Sequence, residues 1–129
     1  MKVLVLSSNE LEEKEINNTL EELQKIVGGY IEVPFLSQKF LEHKIDIIIN
    51  EEGKFIDGLK PEIAVVKKGT NNVLDIVYGN CVFASHDAVG NTIALNEEQI
   101  KVIKKELKLE VVLHDGKSNK DFISKVLFI

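Results

Sequence analysis

Apolar and polar positions change period repeatedly along this chain, and each change marks an element. Val3-Leu4-Val5-Leu6 is an unbroken apolar run, the pattern of a central strand buried on both faces. Leu20, Leu23, Ile26 and Val27 then fall on one helical face. Asn9 with Glu12 has capping-box spacing, which predicts a helix from near Glu10 to Val27, with its apolar period clearest from Ile16 onward. Gly28-Gly29 is a helix stop, since glycine takes the left-handed cap conformation without a Cβ clash. Tyr30, Glu32 and Pro34 alternate with Ile31, Val33 and Phe35, which predicts a strand over Tyr30–Leu36.

Ser37–Lys44 reads as a loop or one helical turn, and Ile45–Asn50 as a second central strand. Gly53 fits the left-handed position of a short hairpin loop, with Lys54–Ile56 returning antiparallel. Pro61 marks Ile63–Val66 as an edge strand or a short turn. Val73–Tyr78 and Cys81–Ser85 read as strands broken at Gly79-Asn80, or as one strand with a glycine bulge. Thr92–Leu95 is extended. Asn96 with Gln99 opens a helix whose buried stripe is Ile100, Ile103 and Leu107. Leu109–Leu113 is a strand and Asp115-Gly116 a hairpin signal. The ending allows a short helix capped by Ser118 and Asp121, or a closing strand over Val126–Ile129. This order predicts an α+β fold: a mixed, largely antiparallel sheet with two main helices packed on one face.

Composition narrows the partners. At 129 residues the chain is expected to form a single domain. A formal net charge of −5, with all 16 basic residues lysine, argues against nucleic acid as a partner. It also removes the planar guanidinium fork that suits bidentate phosphate recognition. Cys81 is the single cysteine, which excludes an internal disulfide and leads to a reducing, cytoplasmic setting as the expectation. No apolar window approaches the length of a membrane span, so no membrane association is expected.

Four segments occur in order: Leu23–Glu32 (LQKIVGGYIE), Asn50–Lys54 (NEEGK), Asp75–Gly79 (DIVYG) and Leu95–Ile100 (LNEEQI). Together they resemble the small phage, plasmid and bacterial proteins grouped as domain of unknown function 3846. The resemblance covers residues 1–107 and leaves 108–129 as a C-terminal extension; the Asp57–Lys60 loop lacks the proline-asparagine step usual in that family. The resemblance implies a mobile-element context, in which small acidic proteins often act as counter-defence factors, some of them by sequestering nucleotide second messengers.

Gln24, Tyr30, Glu32, Asn50, Glu51 and Lys54 are the candidate ligand-binding residues. Tyr30 could stack on a base, Asn50 and Gln24 could read its edge, and Lys54 could meet a phosphate. The competing reading is a hairpin with a solvated acidic tip and a tyrosine at a sheet edge. Gly28-Gly29 follows a helix instead of preceding one, the wrong order for a phosphate-cradling loop. His43, His86 and His114 have no metal-ligand spacing, His86-Asp87 is at most a weak pair, and Cys81 reads as a buried inert thiol. Asp75, a charge in an apolar strand, must face solvent, a lysine or a ligand. Glu51 and Glu52 have no placed second carboxylate for acid–base work, and Lys101, Lys104 and Lys105 read as a solvated helix face. No catalytic set, metal or cofactor is therefore expected. The functional expectation is a non-enzymatic phage or mobile-element counter-defence protein that binds and sequesters a nucleotide-derived immune signal. It is expected to act as a homo-oligomer in the host cytoplasm. The alternative is an acidic inhibitor that binds a host defence protein directly.

Overall fold

The computed structural model describes residues 1–112 and 122–129, and within them two β-sheets pack face to face. The larger sheet is built from β1 (Lys2–Ser7), β2 (Glu10–Glu15), β3 (Ile31–Glu32), β4 (Ile45–Asn50), β7 (Cys81–His86) and β8 (Thr92–Ile93). Its order is β2-β1-β7-β4-β3, with β8 paired to β7. The smaller sheet has the order β6-β5-β10-β9, from β5 (Pro61–Val66), β6 (Val73–Tyr78), β9 (Leu107–Val112) and β10 (Phe122–Phe128). Every pairing is antiparallel except β10 with β5. The fold is α+β, with two main helices, α1 (Leu20–Val27) and α3 (Glu97–Glu106), and a short α2 (Gln38–Glu42).

Alternation along the strands divides the apolar side chains between layers. Leu4, Leu6, Ile45, Ile47, Cys81 and Phe83 point from the larger sheet toward Ile63, Val65, Val77 and Leu127 of the smaller one. Phe40 of α2 and Ile100 and Ile103 of α3 complete this core. Val3, Val5, Ile48, Val82 and Ala84 face the other way and are covered by Leu23 and Val27 of α1. The helices therefore lie on both faces of the larger sheet, not on one. The reason is that β1, β4 and β7 are apolar on both sides and need cover on both.

Several expected elements differ. Glu10–Glu15 is a strand, not the first half of a helix: it pairs with β1 along its whole length, Lys2↔Glu15 through Ser7↔Glu10. Ser8 and Asn9, at φ 52° and 65°, form the tight turn between them, and Asn9 caps nothing. Glutamate and lysine favour helix intrinsically, but here they line an exposed sheet edge, where charge blocks edge-to-edge pairing. The helix begins at Leu20, where Thr19 Oγ1 accepts the Glu22 N–H. The strand at 30–36 shrinks to Ile31–Glu32, because Pro34 has no N–H to continue the ladder. Residues Gly53–Phe55 form a 3-10 turn instead of a returning strand. Pro61 opens β5, which is an interior strand and not an edge; proline is tolerated at a first strand position. Tyr78 and Cys81 belong to different sheets, and Gly79 at φ 83° carries the chain between them, so no single bulged strand exists here.

The C-terminal segment is integral to the fold. β10 lies between β5 and β9, and Val126 and Leu127 are buried within this chain. The ending is thus the strand of the two alternatives. The hairpin signal at Asp115-Gly116 and the Ser118–Asp121 cap lie outside the described residues.

Candidate functional site

A cavity of about 130 Å³ opens where the two sheets part, between the β3–β4 end of the larger sheet and the edge strand β6 of the smaller. Its construction starts at the helix stop. Gly28, at φ 83°, ends α1 with its N–H on the Gln24 carbonyl at 2.8 Å, and the Gly29 N–H reaches the same carbonyl at 3.1 Å. Gly29 answers a different need, since a Cβ there would sit 2.9 Å from the Asn50 amide nitrogen. That close approach lets Asn50, 5% exposed, join two elements. Its Nδ2 donates to the Val27 carbonyl at 3.3 Å, and its Oδ1 accepts the Glu52 N–H at 2.8 Å. The Glu51 N–H donates to the Tyr30 carbonyl at 3.0 Å, which fixes the chain leaving β4 against the chain entering β3.

The opposite wall is the 3-10 turn against β6. A Cβ on Gly53 would meet the Tyr78 carbonyl oxygen at 2.7 Å, so only glycine allows the turn to lie this close. The next residue, Lys54, is ion-paired with Asp75, whose Oδ1 also accepts the Ile76 N–H at 2.8 Å. Pro34, Leu36, Ile49 and Val77 give the cavity apolar walls. Its charged lining is Glu32, Glu51 and Asp75 against Lys54 alone, three carboxylates to one ammonium.

Four of the six sequence candidates, Glu32, Asn50, Glu51 and Lys54, therefore share one cavity. Two do not. Tyr30 is 71% exposed and Gln24 is half-buried on α1, and neither lines it. Asp75 and Tyr78 join the site without having been candidates for it. The charge of Asp75 inside an apolar strand was the available signal, and its partner is a lysine.

The profile of Domain of unknown function (DUF3846) matches residues 1–108. The chain belongs to that family. No curated protein and no solved structure matches it. The matched span contains the whole cavity, and three of the four segments that carry the family resemblance meet around it: Leu23–Glu32, Asn50–Lys54 and Asp75–Gly79. The fourth, Leu95–Ile100, opens α3 with a full capping box between Asn96 and Gln99.

Three other titratable side chains, those of His86, Asp87 and Cys81, have structural roles. His86 pairs through Nδ1 with both Asp46 oxygens at 3.1 Å, not with its neighbour Asp87. Asp87 closes its own loop: the Asn91 backbone N–H, the Asn91 side chain and the Val89 N–H hold its carboxyl below the usual carboxylate range. Cys81 is fully buried, and desolvation, assisted by Glu62, pushes its thiol far above the ordinary range, away from nucleophile chemistry. His114 lies outside the described residues. Among the described residues no group of three or more His, Cys, Asp or Glu could hold a metal ion, and no helix is long and apolar enough to cross a membrane.

Proposed function

We propose that this protein is a non-enzymatic binder that sequesters a small nucleotide-derived signalling molecule, and that the cavity between β3–β4 and β6 is where it grips that ligand. The observation that carries the reading is the cavity itself, whose apolar walls Pro34, Leu36, Ile49 and Val77 are bordered by Glu32, Glu51, Asp75 and Lys54 and lie inside the family-matched span. Asn50 supports it from the α1 face of β4, the side of Ile31 and Ile48, by bonding the Val27 carbonyl and the Glu52 N–H. The volume sets a limit: sites for whole drug-sized ligands run to roughly 300–1,000 Å³. A cavity of about 130 Å³ holds a base-sized fragment, and the rest of the ligand lies across the rim. A second copy of the chain in a homo-oligomer would supply the missing cover. The counter-defence role in a phage-infected or plasmid-bearing host follows from the family's mobile-element company.

A second reading, direct inhibition of a host defence protein, has one observation in its favour. Val33, Phe35 and Leu41, each more than half exposed, line an apolar groove of about 150 Å³ beside the same Pro34–Leu36 segment. Both readings meet in one experiment. The protein is purified from cells that produce cyclic-nucleotide signals, denatured, and its released small molecules are identified by mass spectrometry. The proposal expects a stoichiometric nucleotide-derived compound, and a raised melting temperature when that compound is added back. An empty eluate with no thermal shift from any such signal contradicts it, and a stoichiometric co-purifying protein in its place favours direct inhibition.

A further inference from the structure

The edge of a sheet presents unpaired backbone N–H and C=O groups, and chains usually disarm it with like charge, proline, brevity or cover. Three of the four edges described here are disarmed. β2 carries four glutamates in six residues. β3 is two residues long, and Pro34 follows it closely. β6 has the Gly53–Phe55 turn packed on it, tied down by the Lys54–Asp75 ion pair. β9 differs. Among the described residues it has β10 on one side and no strand on the other, and Lys108, Leu109 and Glu110 at its middle are exposed.

These three residues complement a copy of themselves. When two β9 strands run antiparallel about a two-fold axis through Leu109, Lys108 of each copy lies opposite Glu110 of the other, and Leu109 opposite Leu109. Alternation puts both ion pairs on one face of the seam and Leu109 on the other. Leu109 pairs with Lys125 in the β10 ladder, on the face that also holds Ile123, and Leu109 and Ile123 are 53% and 54% exposed. We propose that β9 pairs with the β9 of a second copy of this chain, a two-fold dimer that joins two four-stranded sheets into one. From Leu109 onward this edge lies beyond the family match, which ends at residue 108. β6 and β9 are opposite edges of the smaller sheet, so the dimer leaves both cavities at its ends and stands apart from ligand capture.

Analytical ultracentrifugation of the full chain tests this by charge reversal. The unaltered chain is expected to sediment as a dimer at micromolar concentration, without added ligand. Lys108→Glu and Glu110→Lys each set two like-charge pairs across the seam, and each is expected to raise the dissociation constant at least about tenfold. Both side chains are exposed, so the fold of one chain does not depend on their sign. The double variant carrying both reversals restores opposite charges and is expected to dimerise again. An equimolar mixture of the two single variants should form a mixed dimer, because each then meets its opposite on the other chain. A chain that stays monomeric at every concentration overturns the proposal. So does a dimer indifferent to both single reversals, which must be joined elsewhere. Loss of the dimer with no rescue in the double variant or the mixture overturns the pairing of Lys108 with Glu110.

Discussion

Asn50 links the helix stop to the cavity, and its value is geometric before it is chemical. Its two partners, the Val27 carbonyl and the Glu52 N–H, sit at the end of α1 and in the turn after β4, so one side chain ties the helix stop to that turn. Gly29→Ala would drive a methyl group into the Asn50 amide, and Asn50→Ala would strand the Val27 carbonyl and the Glu52 N–H. Each is expected to cost about 1–3 kcal/mol, the usual penalty for a buried polar group that loses its partner. Urea denaturation checks this: the midpoint should fall with the slope unchanged, and an unaltered midpoint for Asn50→Ala would remove it from the role assigned here. The glycine pair was legible in the sequence as a helix stop, because a left-handed cap is a local property. That Gly29 is there for space was not legible, since its crowding neighbour is 21 residues away in the chain. Lys54 and Asp75 were each visible as polar residues, but their pairing joins a turn to another sheet and leaves no local pattern.

At the scale of elements, sequence pattern succeeded where local chemistry and tertiary need agree. Asn96–Gln99 capped α3 as expected, with Gln99 Oε1 on the Asn96 N–H and Asn96 Oδ1 on the Gln99 N–H. The Gln99 amide goes further and donates to Ser85 Oγ and the His43 carbonyl, tying α3 to β7 and to the residue that ends α2. Pattern failed at β2, where Glu-Leu-Glu-Glu-Lys-Glu reads as helix and pairs as an edge strand. At Gly79 it left two strands or one bulged strand open, because a chain that changes sheets looks the same as one that bulges, and the two strands are what form. β10 shows why the family boundary at residue 108 is not a structural boundary. Removing residues 109–129 would delete this central strand and expose β5. Loss of Val126 and Leu127 alone removes about 3–6 kcal/mol of apolar burial, out of the roughly 5–15 kcal/mol of total stability typical of a domain. The truncated chain is expected to lose its cooperative thermal transition in circular dichroism, and a melting temperature like that of the full chain would contradict the integral role of β10.

Across the whole molecule, the two sheets are held together by one apolar core and separate at a rim, and the rim is where polar groups from distant segments collect. The α+β class and its mostly antiparallel sheets were legible from hydrophobic period alone. The division into two sheets was not, because it depends on which strands pair, and a charged or interrupted run such as β2 or β6 does not state a partner. Four of the six candidate residues share the cavity because they flank the ends of β3 and β4, where the chain must turn and polar residues are needed; Gln24 and Tyr30 flank the same helix stop but face away. The central claim is that this rim cavity is a ligand site. A crystal structure of the protein as purified from cells that make nucleotide signals tests it most directly. The account predicts base-shaped electron density in the cavity, packed against Ile49 and Val77 and bordered by Glu32, Glu51 and Lys54. A nucleotide bound elsewhere on the molecule, with the cavity filled by ordered water alone, would contradict it.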